Sequence, residues 1–222
     1  MPLVSDQNLS PLGMSSIALP LPRTVTKRRI VTVKVVSVAV VTGVLLFSQH
    51  RYTEDGLFDL MMEAAGFLML LIGGFGRAWT SAFISGRKNR QLVTDGPYSM
   101  VRNPLYFFSF ISFAGAGLAF QSLAASAFLM LLFFATHWPA ILEEERHLRS
   151  LFGESFDRYA SSTPRFLPKP SLLTSPDVMY FTPSIFTRAV VDCSLIVSIF
   201  MLAHIIEWSH IHGRLPVLFS IP

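Results

Sequence analysis

The chain has 222 residues, of which 51% are hydrophobic and only 14% are charged. Because soluble domains carry about a quarter charged residues, this balance indicates a membrane protein. The net charge of +4 comes without a basic stripe interleaved with aromatic residues, which argues against nucleic acid as a partner. Cys193 is the only cysteine, and this excludes an intrachain disulfide and a metal site built from cysteines.

Hydropathy along the chain predicts the architecture. Residues 1–26 contain Ser, Pro and Gly but no apolar core of a signal peptide, and we expect a disordered cytosolic tail. Five later segments can cross about 30 Å of hydrocarbon, which takes roughly 20 helical residues. They lie at about 30–47, 57–79, 104–120, 123–142 and 185–208. The sequence therefore predicts an all-α fold, a polytopic membrane helix bundle of about five transmembrane helices with a helical motif on its cytosolic face.

Basic residues are concentrated on alternate connections. Lys and Arg are frequent before the first span, between the second and third, and after the fourth, whereas the other connections are poor in them. Positive loops remain on the cytosolic side of a membrane. We therefore expect a cytosolic N-terminus, an extracytosolic C-terminus and a working face in the cytosol.

The third and fourth spans form a predicted hairpin. Asn is a frequent N-cap and Pro is favoured at the first helical position, so Asn103-Pro104 marks a sharp helix start. Two spans at about 1.5 Å per residue use nearly all of residues 104–142, leaving a tight turn near 120–122. The hairpin thus returns residues 143–145 to the membrane face that carries Arg102.

The segments on either side of the hairpin carry further local signals. The fourth helix is expected to continue to Phe152, with Gly153 as its cap. A short helix at 155–162 is expected to stop before Pro164, with Phe166 and Leu167 on the membrane interface. Before the hairpin, residues 94–98 read as a turn that interrupts helical structure.

One face therefore collects most of the polar side chains of the hairpin region. Carboxylates at bilayer level are costly unless they are paired, and the N-terminus of the third helix offers free N–H groups to an anion. A ligand with a cationic and an anionic part suits such a face. The expected members are Tyr98, Arg102, Asn103, Tyr106, Glu143, Glu144, Glu145, Tyr159 and Arg165.

At these residues the sequence resembles the isoprenylcysteine carboxyl methyltransferase family and its phospholipid methyltransferase relatives. The first matching block is Leu-Val-Thr-Asp-Gly-Pro-Tyr at 92–98 followed by Val-Arg-Asn-Pro-Leu-Tyr at 101–106. The second is Glu-Glu-Arg-His-Leu at 144–148, Phe-Gly at 152–153, Tyr159, and Pro-Arg-Phe-Leu-Pro at 164–168. The resemblance covers roughly a third of the chain.

The resemblance implies a helical membrane enzyme that binds S-adenosylmethionine at the cytosolic face and admits a lipophilic or lipidated acceptor from the bilayer. Arg102, Arg165 and Glu144 are the expected catalytic residues, with Arg102 or Arg165 holding a carboxylate of the acceptor or the cofactor. It also implies a set of cofactor-binding residues, and we expect no bound metal. That set comprises Tyr98, Arg102, Asn103, Pro104, Tyr106, Glu144 and Glu145.

Asn103 departs from the family, which usually has His between the Arg and the Pro. Asn donates and accepts hydrogen bonds but carries no proton charge near neutral pH. It can replace a histidine that only binds cofactor, whereas the loss of an acid or base would weaken or redirect the chemistry. Phe156 is a smaller departure, at a position where Tyr is common.

The acceptor stays open between a prenylated cysteine carboxylate, a phospholipid amine, a small thiol and an isoprenoid acid. No Cys–His or Ser–His pair is evident, and this favours an acceptor that is already ionised. Two other functions remain: a membrane lipid or sterol reductase that uses NADPH, and a non-enzymatic adaptor whose basic loops bind anionic lipid headgroups.

Single residues of this set also have purely structural explanations. Arg102 alone would be a positive-inside anchor, Asn103 a plain N-cap, and Glu145 with Arg149 an i,i+4 surface pair. His204, Glu207, His210 and His212 suggest a metal site, but polar residues at a helix end are ordinary.

The chain is expected to divide into four parts. They are the tail 1–26, the first two spans with a cytosolic loop at 27–91, a methyltransferase core at 92–170, and a connector with the last span at 171–222.

Overall fold

The computed structural model describes residues 48–50, 56–176, 182–214 and 219–221, all within the compact unit Ser37–Pro222. The tail 1–26 and the span expected at 30–47 lie outside the described residues. The helices are α1 (Leu57–Ile84), α2 (Pro97–Met100), α3 (Pro104–Ala119), α4 (Leu123–Phe152), α5 (Glu154–Ser162), a 3-10 turn (Pro170–Leu172) and α6 (Pro183–Ile211). The strands β1 (Ser48–His50) and β2 (Phe219–Ile221) pair in parallel, with Ser48 opposite Phe219.

The described helices form a membrane bundle, which confirms the predicted fold class. α1, α4 and α6 are long and apolar enough to cross a membrane, whereas α3 is a shorter apolar helix. The 16 residues of α3 span about 24 Å, less than the roughly 30 Å of hydrocarbon. α3 is therefore shorter than the hydrocarbon is thick, unlike the long helices beside it.

Glycines set the close packing of α1 on α3. A Cβ at Gly73 would overlap the Ser112 hydroxyl, and one at Gly76 would overlap the Phe108 ring. Since a side chain larger than hydrogen does not fit, the two backbones approach closely, as membrane helices with small interface residues do. Gly117 plays the same part between α3 and α4, where its Cβ would overlap the backbone of Ser126.

The two ends of the bundle are marked by polar contacts between helices. At one end, named here the site end, lie Arg102 and Glu145, and the Thr182 N–H before α6 donates to the Ser85 hydroxyl after α1 at 2.9 Å. At the opposite, far end, His204 of α6 lies 2.6 Å from Glu63 of α1. α1 and α6 are therefore antiparallel along their whole length.

The hairpin follows the sequence-based expectation closely. α3 begins at Pro104, and the turn to α4 contains Gln121 with φ of 52° and Ser122, whose hydroxyl accepts from the Ala125 N–H at 3.1 Å. α4 continues without interruption to Phe152 and ends at Gly153, whose φ of 51° is of the kind glycine adopts readily. The hairpin geometry and the glycine cap are confirmed.

The turn expected at 94–98 is present, and Gly96, with φ of 58°, redirects the chain there into the short helix α2. Two expectations need correction. α1 runs five residues beyond the expected end at Trp79, to Ile84. Phe166 is not on the interface: it is 9% exposed and its ring packs at 5.6 Å from Phe110, whereas Leu167 is 71% exposed. Burial of Phe166 fastens the segment after α5 to the hairpin.

Candidate functional site

Glu145 of α4 is the centre of a buried ionic network. Its side chain is 9% exposed, and Arg102 lies 3.3 Å from Oε2. The Arg165 Nε donates to both carboxylate oxygens, at 3.2 and 3.1 Å. The Asn103 amide donates to Oε1 at 2.9 Å. A carboxylate at this depth is tolerated only when it is paired in this way, so Glu145 holds three segments of the chain together.

Backbone hydrogen bonds join the two sequence blocks around this network. The Arg102 N–H donates to the Pro164 carbonyl at 2.8 Å, and the Lys169 N–H donates to the Met100 carbonyl at 3.0 Å. The Asn103 side chain adds a bond of 3.0 Å to the Arg165 carbonyl. The segments before α3 and after α5 therefore form one unit at the site end.

The side chain of Asn103 does not act as the plain N-cap considered above. It occupies the N-cap position of α3, but its side chain makes no capping hydrogen bond. Both hydrogen bonds of its amide nitrogen go elsewhere, to Glu145 and to the Arg165 carbonyl. A single imidazole nitrogen carries at most one hydrogen, so Asn supplies here a double donation that one ring nitrogen of His does not.

Glu144 lies at the centre of a second, more open group. Its side chain is 33% exposed, and Lys88 lies 3.9 Å away. Tyr98 and Tyr106 both interact electrostatically with its carboxylate. Successive helical residues face different directions, so Glu145 points into the protein while Glu144 borders the open side. Tyr98, Tyr106 and Glu144, three of the seven residues expected to bind the cofactor, thus lie together in this group.

Two tyrosines stay protonated at this site. Burial raises the pKa of Tyr98 above its usual value, and the nearby Glu144 raises it further. Burial also raises the pKa of Tyr159. The charge of Arg102 lowers this pKa and the charge of Glu145 raises it, so the net change is an increase. The Tyr159 hydroxyl donates to the Tyr98 carbonyl at 2.7 Å. Both side chains are therefore neutral hydroxyl groups near pH 7, not bases.

A cleft of about 400 Å³ opens beside the Glu145 network. Its volume falls in the range of small-molecule sites, and six of its eight lining residues carry a hydroxyl group, although apolar atoms form most of the lining. Tyr159 is common to the cleft and the tyrosine pair, and Arg158 brings a positive charge. The lining residues are Thr94, Ser99, Arg158, Tyr159, Ser162, Thr163, Leu172 and Thr174.

The alternative ion pair Glu145–Arg149 is wrong. Arg149 lies 2.7 Å from Asp157 of α5 and stacks over the Phe156 ring, 5.6 Å from its centroid. Phe156 itself is 1% exposed. A side chain buried to this degree gains nothing from a hydroxyl, which accounts for Phe at a position where Tyr is common in the family.

His204 does not gather a metal site with its neighbours. Its Nε2 faces Glu63 at 2.6 Å and its Nδ1 faces Glu207 at 3.5 Å, so both ring nitrogens are directed at carboxylates. Over the described ranges, no group of three or more His, Cys, Asp or Glu side chains is placed to hold a metal ion.

Arg77 of α1 was missed by the sequence analysis. Its guanidinium donates to the Ser109 hydroxyl of α3, inside the bundle. The signal was available, because an arginine within a 28-residue apolar helix is expensive and marks a functional position in many membrane proteins.

Comparison with known proteins connects this geometry to a family. A sequence model described as phospholipid methyltransferase matches residues 57–155, from the start of α1 into α5. The protein-S-isoprenylcysteine O-methyltransferase of Schizosaccharomyces pombe is 30% identical over 90 residues, covering 40% of this chain and 38% of the relative. The chain belongs to this family of integral membrane methyltransferases.

Two other relatives align along most of the length of this chain. The nickel-cobalt-cadmium resistance protein NccN of Alcaligenes xylosoxydans xylosoxydans is 33% identical over 207 residues, covering 91% of this chain and 94% of the relative. The cobalt-zinc-cadmium resistance protein CzcN of Cupriavidus metallidurans is 36% identical over 190 residues, covering 85% and 86%. No solved structure shows a significant match.

Proposed function

We propose that this protein transfers a methyl group from S-adenosylmethionine to a lipophilic acceptor in the bilayer, most like the carboxyl O-methylation of a prenylated cysteine. The observation that carries the proposal is the pairing of a closed ionic network around Glu145 with an open group around Glu144, at the N-terminal end of α3. A rigid network beside an accessible acidic group suits the precise alignment that methyl transfer needs.

The residues of the open group fit the cofactor. Bound S-adenosylmethionine supplies a methyl group on a positively charged sulfur, and the electron pair of the broken carbon–sulfur bond stays on that sulfur when an acceptor oxygen takes the methyl. The Glu144 carboxylate offers an acceptor to ribose hydroxyls or to an amino group. The rings of Tyr98 and Tyr106 favour a cation nearby, and the hydroxyl-lined cleft beside Tyr159 suits polar groups.

The arginines have separate proposed roles. Arg102 is 13% exposed and is committed to Glu145, so it holds the site in shape. The side chain of Arg165 is 40% exposed, and this leaves part of its planar fork available to a carboxylate. A carboxylate acceptor is already ionised at neutral pH and needs no general base, which agrees with protonated tyrosines around the site. The loop charges favour a cytosolic location for this end.

Binding by the purified protein in detergent tests the proposal. We expect saturable binding of tritium-labelled S-adenosylmethionine that is lost in Glu144→Gln. Glu143→Gln is the matched control, because Glu143 lies one residue away, is 71% exposed and pairs with Arg146. Binding of NADPH in place of S-adenosylmethionine would indicate the reductase alternative, and binding of neither would indicate an adaptor.

The long relatives support a further proposal about physiology. Because NccN and CzcN are named for metal resistance and align along most of this chain, we expect methyl transfer here to contribute to resistance against divalent metals. A deletion strain complemented with the wild type or with Glu144→Gln, grown in nickel, cobalt or cadmium, tests this. If the wild type and Glu144→Gln restored growth in metal equally, resistance would not depend on methyl transfer.

A further inference from the structure

Arg77 lies inside the membrane-spanning part of α1, seven residues before Ile84 and therefore about 10 Å along the helix from its end. The guanidinium Nη1 donates to the Ser109 hydroxyl. That hydroxyl donates its own hydrogen to the Leu105 carbonyl at 2.7 Å, so its lone pairs are directed at Arg77. The arginine is held in place by α3, not by an acidic partner.

The charge of Arg77 is incompletely compensated. Among the residues that the structure describes, no carboxylate lies within ion-pair distance of it, and Asp192 of α6 acts on it only through space. Its Nε is buried and has no hydrogen-bond partner in the described part of the chain. A cation at this depth with an unused donor is costly, and an anionic ligand would offset that cost.

We infer that Arg77 binds the anionic head group of the methyl acceptor from the membrane side of the site. This inference rests on the proposed function and deepens it. Ser109 lies three residues beyond Tyr106 on α3, about 4.5 Å deeper. A head group held by Arg77 therefore lies one helical turn below Tyr106 and Glu144, while its hydrocarbon chain stays in the bilayer.

Asp192 makes the subsite selective for charge. Arg77 binds a carboxylate or a phosphate equally well by geometry, since its planar fork matches both. Asp192 stands beside Cys193, which packs against Gly74 of α1 three residues before Arg77, so its carboxylate opposes additional negative charge at the subsite. A head group with one negative charge is therefore preferred over a phosphate monoester with two.

The test measures equilibrium binding of three amphiphiles to the full chain in detergent, without S-adenosylmethionine: S-farnesyl N-acetylcysteine, its carboxamide, and farnesyl monophosphate. The wild type should bind the carboxylate more tightly than the other two. Arg77→Met should weaken binding of the carboxylate at least about tenfold and leave the carboxamide unchanged. Arg77→Lys should recover part of the loss, and Arg146→Met, at an exposed arginine of α4, is the control.

Asp192→Asn gives the decisive second arm, because removal of the repelling charge should tighten binding of the carboxylate and the phosphate several-fold. A merely structural role for Arg77 and Asp192 does not move affinity in opposite directions. Equal affinities of the wild type and Arg77→Met for the carboxylate, or binding of none of the probes by the wild type, would overturn the inference. If Arg77→Met weakens binding of the carboxylate but the wild type does not bind S-adenosylmethionine, the proposed function is wrong and the anion subsite at Arg77 is still supported.

Discussion

Two neighbouring glutamates at the site end show how differently one residue type is used. Glu145 is 9% exposed and is held by Arg102, Asn103 and Arg165, whereas Glu144 is 33% exposed and has Lys88 only at 3.9 Å. The buried carboxylate contributes to stability through its partners. The open one is available to a ligand, and the two can be separated by substitution.

Glu145→Gln should unfold at lower temperature than the wild type. It leaves Arg102 without its carboxylate, and breaking a buried ion pair costs about 3–5 kcal/mol, which we place near the lower value because Arg165 is 40% exposed. Glu144→Gln should unfold at the wild-type temperature and lose cofactor binding. Thermal unfolding in detergent measures both, and equal melting temperatures for the two variants would contradict the distinction.

Asn103→Ala should also destabilise the protein, by about 1–3 kcal/mol, because Glu145 and the Arg165 carbonyl each lose a hydrogen-bond donor. Asn103→His, which restores the residue usual in the family, should recover part of that stability. We expect its pH profile of methyl transfer to match that of the wild type. A new limb between about pH 6 and 7, where histidine titrates, would instead assign this position an acid or base role.

The meeting of the two sequence blocks at one end of the bundle was predictable from residue types and spacing, whereas the roles of their residues came from the family resemblance and stay predictions. The turn before Pro104 and the glutamates after α4 had to meet once the hairpin length was known, and they do. The difference in burial between Glu144 and Glu145 was not predictable, because it depends on which side of α4 faces Arg102. Arg77 was overlooked although an arginine within an apolar helix is a local signal, whereas its partner Ser109, 32 residues away, was not predictable.

At the scale of elements, the α3–α4 hairpin depends on Gly117. Gly117→Ala should push the two helices apart, because the added methyl group would overlap the backbone of Ser126, which has no flexible end to move away. Overpacking of this kind costs about 1–3 kcal/mol. Ala124→Val, on an exposed part of α4, is the control, and an unchanged melting temperature of Gly117→Ala would argue against tight hairpin packing.

The predictability of the elements depends on the strength of their local signals. Asn-Pro, the tight turn and Gly153 each act within a few residues, and the helix boundaries at these points agree with expectation. The position of Phe166 depended on a long-range aromatic cluster of the hairpin, which no local pattern encodes. A single-turn helix such as α2 is likewise set by the glycine turn before it and by packing, not by periodicity.

For the whole molecule, the arrangement in the membrane is the main open prediction. Single cysteines at Asn89, exposed beyond α1 at the site end, and at His212, exposed after α6 at the far end, probe the two sides. The native Cys193 is buried and should stay unlabelled by an impermeant maleimide. We expect labelling of Asn89→Cys only in inside-out vesicles and of His212→Cys in intact cells. The reverse pattern would place the site end outside the cytosol.

The shortness of α3 has an energetic consequence for the acceptor. Each methylene that leaves the hydrocarbon for water costs about 0.8 kcal/mol, so drawing a long isoprenoid out of the membrane would consume much of the binding energy available to an enzyme. Under the proposed function, the 16 residues of α3 span only about 24 Å, so methyl transfer at the end of this helix would take place within the hydrocarbon and the isoprenoid would not have to leave it.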